Sequence, residues 1–179
     1  TVQTKGDGIA NLFVWYEKSK KYGIYYTGTS SSPLSESNIN NTTKNWDCVE
    51  FGDINGDGRT DIFNFTKDGY TVMIMGISSP QVKSQDWPNK LHHHYMGDFN
   101  GDGKTDILLT GYDEDPNDSG WSQWAMLYSD GKGTFQKEYF TGHFRSKDRK
   151  IFVMDVDGDG FDDLIAVNKT TDDYPNTIS

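Results

Sequence analysis

The strongest constraint on this chain is an acidic, glycine-rich loop that occurs three times. The loop has the form D-x-N/D-G-D-G-x-x-D, and the segments that contain it are FGDINGDGRTDIF (51–63), MGDFNGDGKTDIL (96–108) and MDVDGDGFDDLIA (154–166). We call the nine-residue loops loop A (53–61), loop B (98–106) and loop C (155–163). They begin 45 and 57 residues apart. A spacing of this size indicates a repeat architecture, in which one structural unit recurs along the chain.

An altered fourth copy, KGDGIANLFVW (5–15), precedes the three intact loops. Its Asp7 and Asn11 match loop positions five and nine, but Gln3 and Lys5 stand where the intact loops have Asp and Asn or Asp. We therefore predict that this copy keeps the repeat fold but lacks a tight metal site.

Strand-like runs flank every loop. An apolar run follows each loop, as in Ile62–Phe65 and Ile107–Leu109, and an alternating run precedes each intact loop. After a turn, the first three copies show a second strand: YGIYYTG (22–28), YTVMIMG (70–76) and WAMLYSDG (124–131). The remaining stretch has room for one more strand. Four strands in 45–57 residues are typical of a β-propeller blade.

The predicted fold class is therefore all-β, with propeller blades of four antiparallel strands. We divide residues 1–179, taken as a single propeller segment, into blade copies at approximately 1–45, 46–90, 91–149 and a partial copy at 150–179. The polar stretches 30–43 and 112–122 are predicted to be surface loops within blades. The copies hold three, four, four and two predicted strands. This number is too small for a closed ring of at least four blades, so we expect an incomplete propeller that continues beyond a terminus or is held by another chain.

The residue types in the loops favour calcium. Ca²⁺ takes six to eight oxygen ligands, and side chains at positions one, three and five of such a loop converge on one point. Position seven offers its backbone carbonyl, and an aspartate at position nine closes the site. The EF-hand has a similar loop but requires glutamate at position twelve and a following helix. Position twelve here is Asn64, Leu109 or Ala166, and strands follow, so the EF-hand and dockerin readings fail.

Composition excludes several other functions. The net charge of −10 argues against nucleic-acid binding and against docking on an anionic membrane, and no apolar stretch is long enough to span a bilayer. Cys48 is the only cysteine, which excludes an internal disulfide and a cysteine-rich zinc site. His92, His93 and His94 suggest zinc, but alternation in a strand separates His93 from the other two, so half-buried strand residues are the better interpretation.

These repeats resemble FG-GAP/VCBS repeats, the blades of integrin-α-type propellers, and Phe51 and Gly52 match the FG of that name. The resemblance implies about three Ca²⁺ ions, one in each turn between the first two strands of a blade. It implies the following metal ligands: Asp53, Asn55, Asp57, the Arg59 carbonyl and Asp61; Asp98, Asn100, Asp102, the Lys104 carbonyl and Asp106; and Asp155, Asp157, Asp159, the Phe161 carbonyl and Asp163. GDFNGDGKTDILL (97–109) with WAMLYSDGKGTF (124–135) is most similar to repeats of bacterial surface and Rhs- or Tc-type toxin proteins.

The functional expectation is a non-enzymatic binding or scaffold module of a secreted or cell-surface protein. Its partner would be another protein or the rest of a larger chain. One alternative is a carbohydrate-binding lectin built from the same repeats. Its tryptophan and tyrosine rings would stack on sugars, although in propellers such rings more often pack between blades. The other is a structural shell segment of a larger toxin. We see no catalytic residues, because the loops account for the paired carboxylates, and we expect no nucleic-acid partner and no membrane insertion.

Overall fold

The computed structural model of this chain describes residues 11–16, 21–25, 35–37, 48–66, 69–75, 81–86, 91–111, 123–141 and 149–168. These residues form strands and turns, and none of them is helical, which confirms the all-β prediction. The described part of the chain accordingly contains no helix that could cross a membrane. Its strands are β1 (Leu12–Tyr16), β2 (Lys21–Tyr25), β3 (Ser35–Ser37), β4 (Cys48–Gly52), β5 (Asp61–Thr66), β6 (Gly69–Ile74), β7 (Gln81–Asp86), β8 (Leu91–Gly97), β9 (Asp106–Gly111), β10 (Gln123–Ser129), β11 (Phe135–Thr141), β12 (Arg149–Met154) and β13 (Asp163–Asn168).

The strands form four sheets in which spatial order follows chain order. Sheet 1 contains β1 to β3, sheet 2 contains β4 to β7, sheet 3 contains β8 to β11, and sheet 4 contains β12 and β13. The pairings with a defined register are antiparallel, such as Gly52↔Asp61 in sheet 2 and Met154↔Asp163 in sheet 4. Four-stranded antiparallel sheets are the predicted blades, and the described strands number three, four, four and two in the four sheets, as the sequence predicts.

Each acidic loop connects the first two strands of its sheet. Loop A leads from β4 to β5, loop B from β8 to β9, and loop C from β12 to β13. Two glycines in every loop have positive φ, for example 72° at Gly56 and 76° at Gly58. L-residues rarely adopt this conformation, so glycine at these two positions lets the chain reverse within a few residues.

The chain divides into two compact units, of which the first comprises residues 1–87, 103–105 and 129–135. Its core is centred on β5 and β6, and β6 is buried at every position. Phe135 packs against Phe63 and Tyr70, with ring centroids 6.1 and 5.4 Å away. Full burial of one such large side chain stabilises the fold by about 1.5–3 kcal/mol. The buried apolar residues of this unit are Ile54, Ile62, Phe63, Phe65, Tyr70, Val72, Met73, Ile74, Met75 and Phe135.

The second unit comprises residues 88–102, 106–128 and 136–179. Its described core lies on β9 and β10 and consists of Ile107, Leu108, Leu109, Trp124, Ala125 and Leu127. Sheet 4 and loop C differ from this core because none of their described residues is buried. Phe152 on β12 is 49% exposed and Val156 in loop C is 60% exposed, while Ile151 and Leu164 are half-buried. The residue of loop A that corresponds to Val156 is Ile54, which is fully buried.

One detail of the sequence prediction was wrong. The polar run 30–43 contains strand β3, whose pairing with β2 uses backbone groups and needs no apolar side chains. Phe51 on β4 is 38% exposed and contacts the ring of Phe13 edge-on. The altered loop around Asp7 and the insert 112–122 lie outside the described residues.

Candidate metal centres

Loop A is wound around the carboxylate of Asp53. Asp53 Oδ1 accepts hydrogen bonds from the backbone N–H groups of Gly56 and Asp57, at 2.8 and 3.1 Å. Asp53 Oδ2 accepts one from Gly58 N–H at 2.7 Å. Three backbone donors therefore fix the orientation of the first predicted ligand.

Positions three and five of loop A continue the same pattern. Asn55 Oδ1 accepts a hydrogen bond from Asp57 N–H at 3.1 Å, and Asp57 Oδ1 accepts one from Arg59 N–H at 2.9 Å. The Arg59 guanidinium lies 3.9 Å from Asp57 Oδ2, where it offsets part of the negative charge. Each predicted ligand thus holds the backbone of a residue two positions further along the chain.

Asp61, at position nine, is fully buried beneath loop A. Its Oδ2 accepts a hydrogen bond from Ile54 N–H at 2.9 Å, and its Oδ1 accepts one from Met75 N–H at 2.7 Å. Burial raises the pKa of Asp61 to about 6, the two backbone donors oppose this change, and the charges of Asp57 and Asp53 add to it. A bound cation would favour the ionised carboxylate and lower this pKa.

Loop B has the same hydrogen bonds as loop A around its position-five backbone N–H group. Asp102 N–H donates to Asp98 Oδ1 and to Asn100 Oδ1, both at 3.1 Å. Asp57 N–H makes the corresponding pair of bonds to Asp53 and Asn55 in loop A. Asp106 is fully buried, like Asp61.

Loop C carries aspartates at positions one, three and five. One carboxylate oxygen from each of Asp155, Asp157 and Asp159 lies within 4.8 Å of the other two. Asp155 accepts hydrogen bonds from Gly158 N–H and Gly160 N–H, at 2.7 and 3.1 Å. Asp163 Oδ2 accepts one from Val156 N–H at 3.2 Å, the counterpart of the Asp61–Ile54 bond, although Asp163 is exposed.

The donor set in loop C fits Ca²⁺. Oxygens that bind one Ca²⁺ at 2.3–2.6 Å can be at most about 5.2 Å apart. The three carboxylate oxygens of loop C satisfy this limit, since they lie within 4.8 Å of each other. Oxygen ligands suit a hard cation such as Ca²⁺ and do not suit zinc, which prefers nitrogen and sulfur. The spacing of these three carboxylates is therefore compatible with a single Ca²⁺ ion.

Position seven of the three loops is occupied by Arg59, Lys104 and Phe161. Each is predicted to bind the metal through its backbone carbonyl oxygen. The N–H groups of Arg59 and Phe161 donate to the position-five aspartates, both at 2.9 Å. This bond fixes the backbone at position seven, while the carbonyl ligand role remains a prediction.

Position eight of the loop has a structural role that was not predicted from the sequence. Thr105 and Asp162 occupy it in loops B and C, and both bind the backbone of the first aspartate in the preceding loop. Two signals could have revealed this contact: every intact loop has Thr or Asp at position eight, and Gly52 and Gly97 precede the first aspartate of the receiving loops.

The histidine run lies on β8, as the strand interpretation requires. The β8–β9 register shifts between Leu91 and His93, so His92 lies at a β-bulge and the simple alternation breaks there. His93 is exposed and His94 is half-buried. Burial lowers the pKa of His94 to about 4, and the neighbouring His93 contributes to the decrease.

We expect His94 to make the metal-free protein less stable in acid. Its folded pKa of about 4 lies below the unfolded value of about 6.5, so the unfolded state binds more protons between these values. His94 should therefore contribute a fall in stability as the pH decreases from about 6.5 towards 4, of about 2 kcal/mol between pH 7 and pH 5, and Asp61, whose pKa is raised to about 6, offsets part of this fall. In urea unfolding with EDTA, His94→Gln should lose about 2 kcal/mol less stability than the unchanged protein between pH 7 and pH 5. The control His93→Gln should keep nearly the whole pH dependence, and an unchanged slope in His94→Gln would contradict the assignment.

The chain also shows similarity to known proteins. Its structure resembles that of a lectin from Agrocybe aegerita that specifically recognises non-reducing terminal N-acetylglucosamine, with a TM-score of 0.63 and 18% identity. The likeness covers 92% of this chain and 45% of the lectin chain, so this chain spans less than half of the lectin's length. At this identity the likeness concerns the fold alone, and it fits the predicted incomplete propeller. A comparison with curated proteins found no match.

The repeats themselves identify the family. The FG-GAP-like repeat profile matches residues 4–63 and 98–166, which together make up most of the chain and include all three loops and the altered first copy. The match confirms the resemblance based on the acidic loops, whereas the narrower similarity to Rhs- and Tc-type repeats stays a prediction. The chain belongs to the FG-GAP-like repeat family.

Proposed function

We propose that this chain is a calcium-stiffened, non-enzymatic binding or scaffold module of an extracytoplasmic protein. The observation that carries the proposal is the acidic loop itself. All three loops tie the predicted ligands into one hydrogen-bond pattern, and in loop C three carboxylate oxygens lie within 4.8 Å of each other. No enzyme is needed to explain these carboxylates.

Electrostatics explains why such a loop requires a cation. Two like charges about 4 Å apart repel by roughly 4 kcal/mol at an effective dielectric constant near 20. Loop C brings three carboxylates together, and their backbone donors stabilise them only in part. The residues at positions one, three, five and nine would hold the ion, together with the carbonyl at position seven. Ca²⁺ supplies positive charge there and no reactivity.

The expected affinity favours a location outside the cytoplasm. Extracellular calcium modules bind with dissociation constants of about 10⁻⁴–10⁻³ M, so they fill only where calcium is near millimolar. Filled loops would fix the first turn of each blade and hold nearby surface loops in a defined position. Such a surface suits a protein partner or the rest of a larger chain, and the net charge of −10 disfavours nucleic acid.

Calorimetric stoichiometry tests the ligand assignment. We expect three ions per chain in the unchanged protein. Asp57→Ala, Asp102→Ala and Asp159→Ala each remove the central carboxylate of one loop, so each variant should bind two ions. Isothermal titration of calcium into EDTA-treated, dialysed protein measures this number directly.

Asp130→Ala is the matched control. Asp130 is also an exposed aspartate that caps a turn, since it accepts hydrogen bonds from Lys132 N–H and Thr134 N–H at 2.8 and 3.1 Å. It lies outside the three loops, so this variant should still bind three ions. A stoichiometry of three in any of the loop variants would contradict the assigned ligands.

The lectin likeness supports glycan binding as a second candidate function. The fold is similar over 92% of this chain to a protein that recognises terminal N-acetylglucosamine. Among the five tryptophans, the described side chain of Trp124 is 2% exposed and stacks edge-on with Phe140, so it offers no sugar platform. A glycan array with calcium separates the candidates, because saturable binding to N-acetylglucosamine-terminated glycans would replace the scaffold proposal.

A further inference from the structure

Loops A and B are joined by a reciprocal pair of hydrogen bonds between Thr105, at position eight of loop B, and Asp53 of loop A. We call such a pair of hydrogen bonds a clasp. Thr105 N–H donates to the carbonyl oxygen of Asp53 at 2.6 Å. In return, Asp53 N–H donates to Thr105 Oγ1 at 2.9 Å. Both backbone polar groups of the first predicted ligand in loop A are therefore held by one residue of loop B.

The same clasp recurs between loops B and C with a different side chain. Asp162 N–H donates to the carbonyl oxygen of Asp98 at 2.8 Å, and Asp98 N–H donates to Asp162 Oδ2 at 2.7 Å. The threonine and the aspartate differ in shape and charge, but each accepts the hydrogen bond through a side-chain oxygen. The clasp therefore requires an acceptor oxygen at position eight, and its recurrence marks it as a feature of the repeat.

Each clasp also requires glycine before the first aspartate of the loop that receives it. A Cβ atom at Gly52 would lie 2.7 Å from Thr105 Oγ1, and a Cβ atom at Gly97 would lie 2.8 Å from Asp162 Oδ2. Cβ atoms do not approach other atoms so closely, so only glycine admits the clasping side chain. The residue before loop C is Met154, so loop C lacks the glycine that receives the clasp in loops A and B.

Position seven makes a second contact between successive loops. The side chain of Lys104 lies over Gly56 of loop A, with its Cγ 3.3 Å from where a Cβ would be. The ring of Phe161 lies over Gly101 of loop B, at 3.1–3.3 Å from the corresponding point. Two adjacent residues of one loop thus cover the backbone that presents the ligands of the preceding loop.

We infer that Thr105 and Asp162 are positioning residues for the metal site of the preceding loop, so that neighbouring calcium sites are coupled. This inference rests on the proposed calcium function. Thr105 immediately precedes Asp106, a predicted ligand of loop B, and it also fixes Asp53, the first predicted ligand of loop A. An ion in loop B restrains Thr105, and a restrained Thr105 presents Asp53 in its binding position.

The coupling is reciprocal and acts between nearest neighbours. Reciprocity is a thermodynamic requirement: if an ion in loop B strengthens binding in loop A, an ion in loop A strengthens binding in loop B by the same factor. Loops B and C are linked in the same way through Asp162. The described residues show this clasp only between successive loops, as in repeat proteins whose units interact with their neighbours.

The experiment is a calcium titration followed by amide NMR, with Gly58, Gly103 and Gly160 as separate reporters of loops A, B and C. Thr105→Val removes the acceptor oxygen and keeps the shape of the side chain. It should weaken calcium binding at loop A about threefold to tenfold, the effect of one lost hydrogen bond. Thr105→Ser restores the hydroxyl and should restore the affinity.

Thr134→Val is the matched control. Thr134 Oγ1 donates to Asp130 in the β10–β11 turn at 2.5 Å, so this variant also loses a threonine hydrogen bond, but not one to a calcium loop. It should leave all three affinities unchanged. A purely structural role for Thr105 would lower the stability of Thr105→Val without a selective loss at loop A.

A second variant keeps the test decisive if Thr105→Val does not fold. Asp102→Ala removes site B and should weaken loop A by a similar factor while Thr105 is intact. Unchanged affinity at loop A in either variant, with three ions bound by the unchanged protein, would overturn the coupling and leave the proposed function standing. Absence of calcium binding in the unchanged protein would instead overturn the proposed function itself.

Discussion

Removing calcium with EDTA is expected to lower the melting temperature by about 3–15 °C. The reason is mass action, because an ion that binds only the folded state stabilises it. With dissociation constants of about 10⁻⁴–10⁻³ M, each filled loop adds about 0.4–1.4 kcal/mol at ~1 mM calcium. Three loops together add about 1–4 kcal/mol, and a domain of this size gains about 2–4 °C per kcal/mol. Differential scanning calorimetry in EDTA and in ~1 mM calcium measures the change.

Magnesium provides the control for this melting experiment. Mg²⁺ prefers six ligands in a tight octahedron at 2.0–2.1 Å and retains its water, so it should restore much less of the lost stability. Melting curves that superimpose in EDTA and in calcium would contradict the stabilising role of the loops.

Replacing Gly97 by valine is expected to destabilise the protein by about 2–4 kcal/mol. A Cβ atom at this position would lie 2.6 Å from Val153 Cγ1 and 2.8 Å from Asp162 Oδ2. The added side chain would push Val153 and Asp162 away from β8. The expected cost is therefore that of overpacking plus the loss of the hydrogen bond from Asp98 N–H to Asp162 Oδ2. Urea unfolding in EDTA measures this cost without a contribution from calcium.

Loop C offers the matched comparison. Met154 occupies the position of Gly97, is 49% exposed, and should tolerate replacement by glycine. Met154→Gly should change the stability by no more than about 1 kcal/mol, mainly through the flexibility of glycine in a strand. If Gly97→Val were as stable as Met154→Gly, the clasp would not require glycine before the first aspartate of the preceding loop.

Much of the fold could be predicted because the loop fixes the register of the strands beside it. Position nine begins a strand in every intact copy, at Asp61, Asp106 and Asp163, so the acidic motif locates β5, β9 and β13. The apolar runs that follow these aspartates then identify the buried strands. The geometry within the loops was also accessible, since the two glycines have positive φ and allow the chain to wind around the first aspartate.

Features with weak local signals could not be predicted. Strand β3 lies in a serine-rich run, where pairing depends on backbone groups rather than on an apolar pattern. The clasps join residues 52 and 64 positions apart, and the recurring position-eight side chain and the preceding glycine do not by themselves show which residues they contact.

The central claim is that loops A, B and C each hold one calcium ion. Anomalous diffraction from crystals grown in millimolar calcium tests it most directly, with data collected at a long wavelength where calcium scatters anomalously. We predict one anomalous peak in each loop, about 2.3–2.6 Å from the oxygens at positions one, three, five, seven and nine. Well-ordered loops without anomalous peaks would contradict the claim.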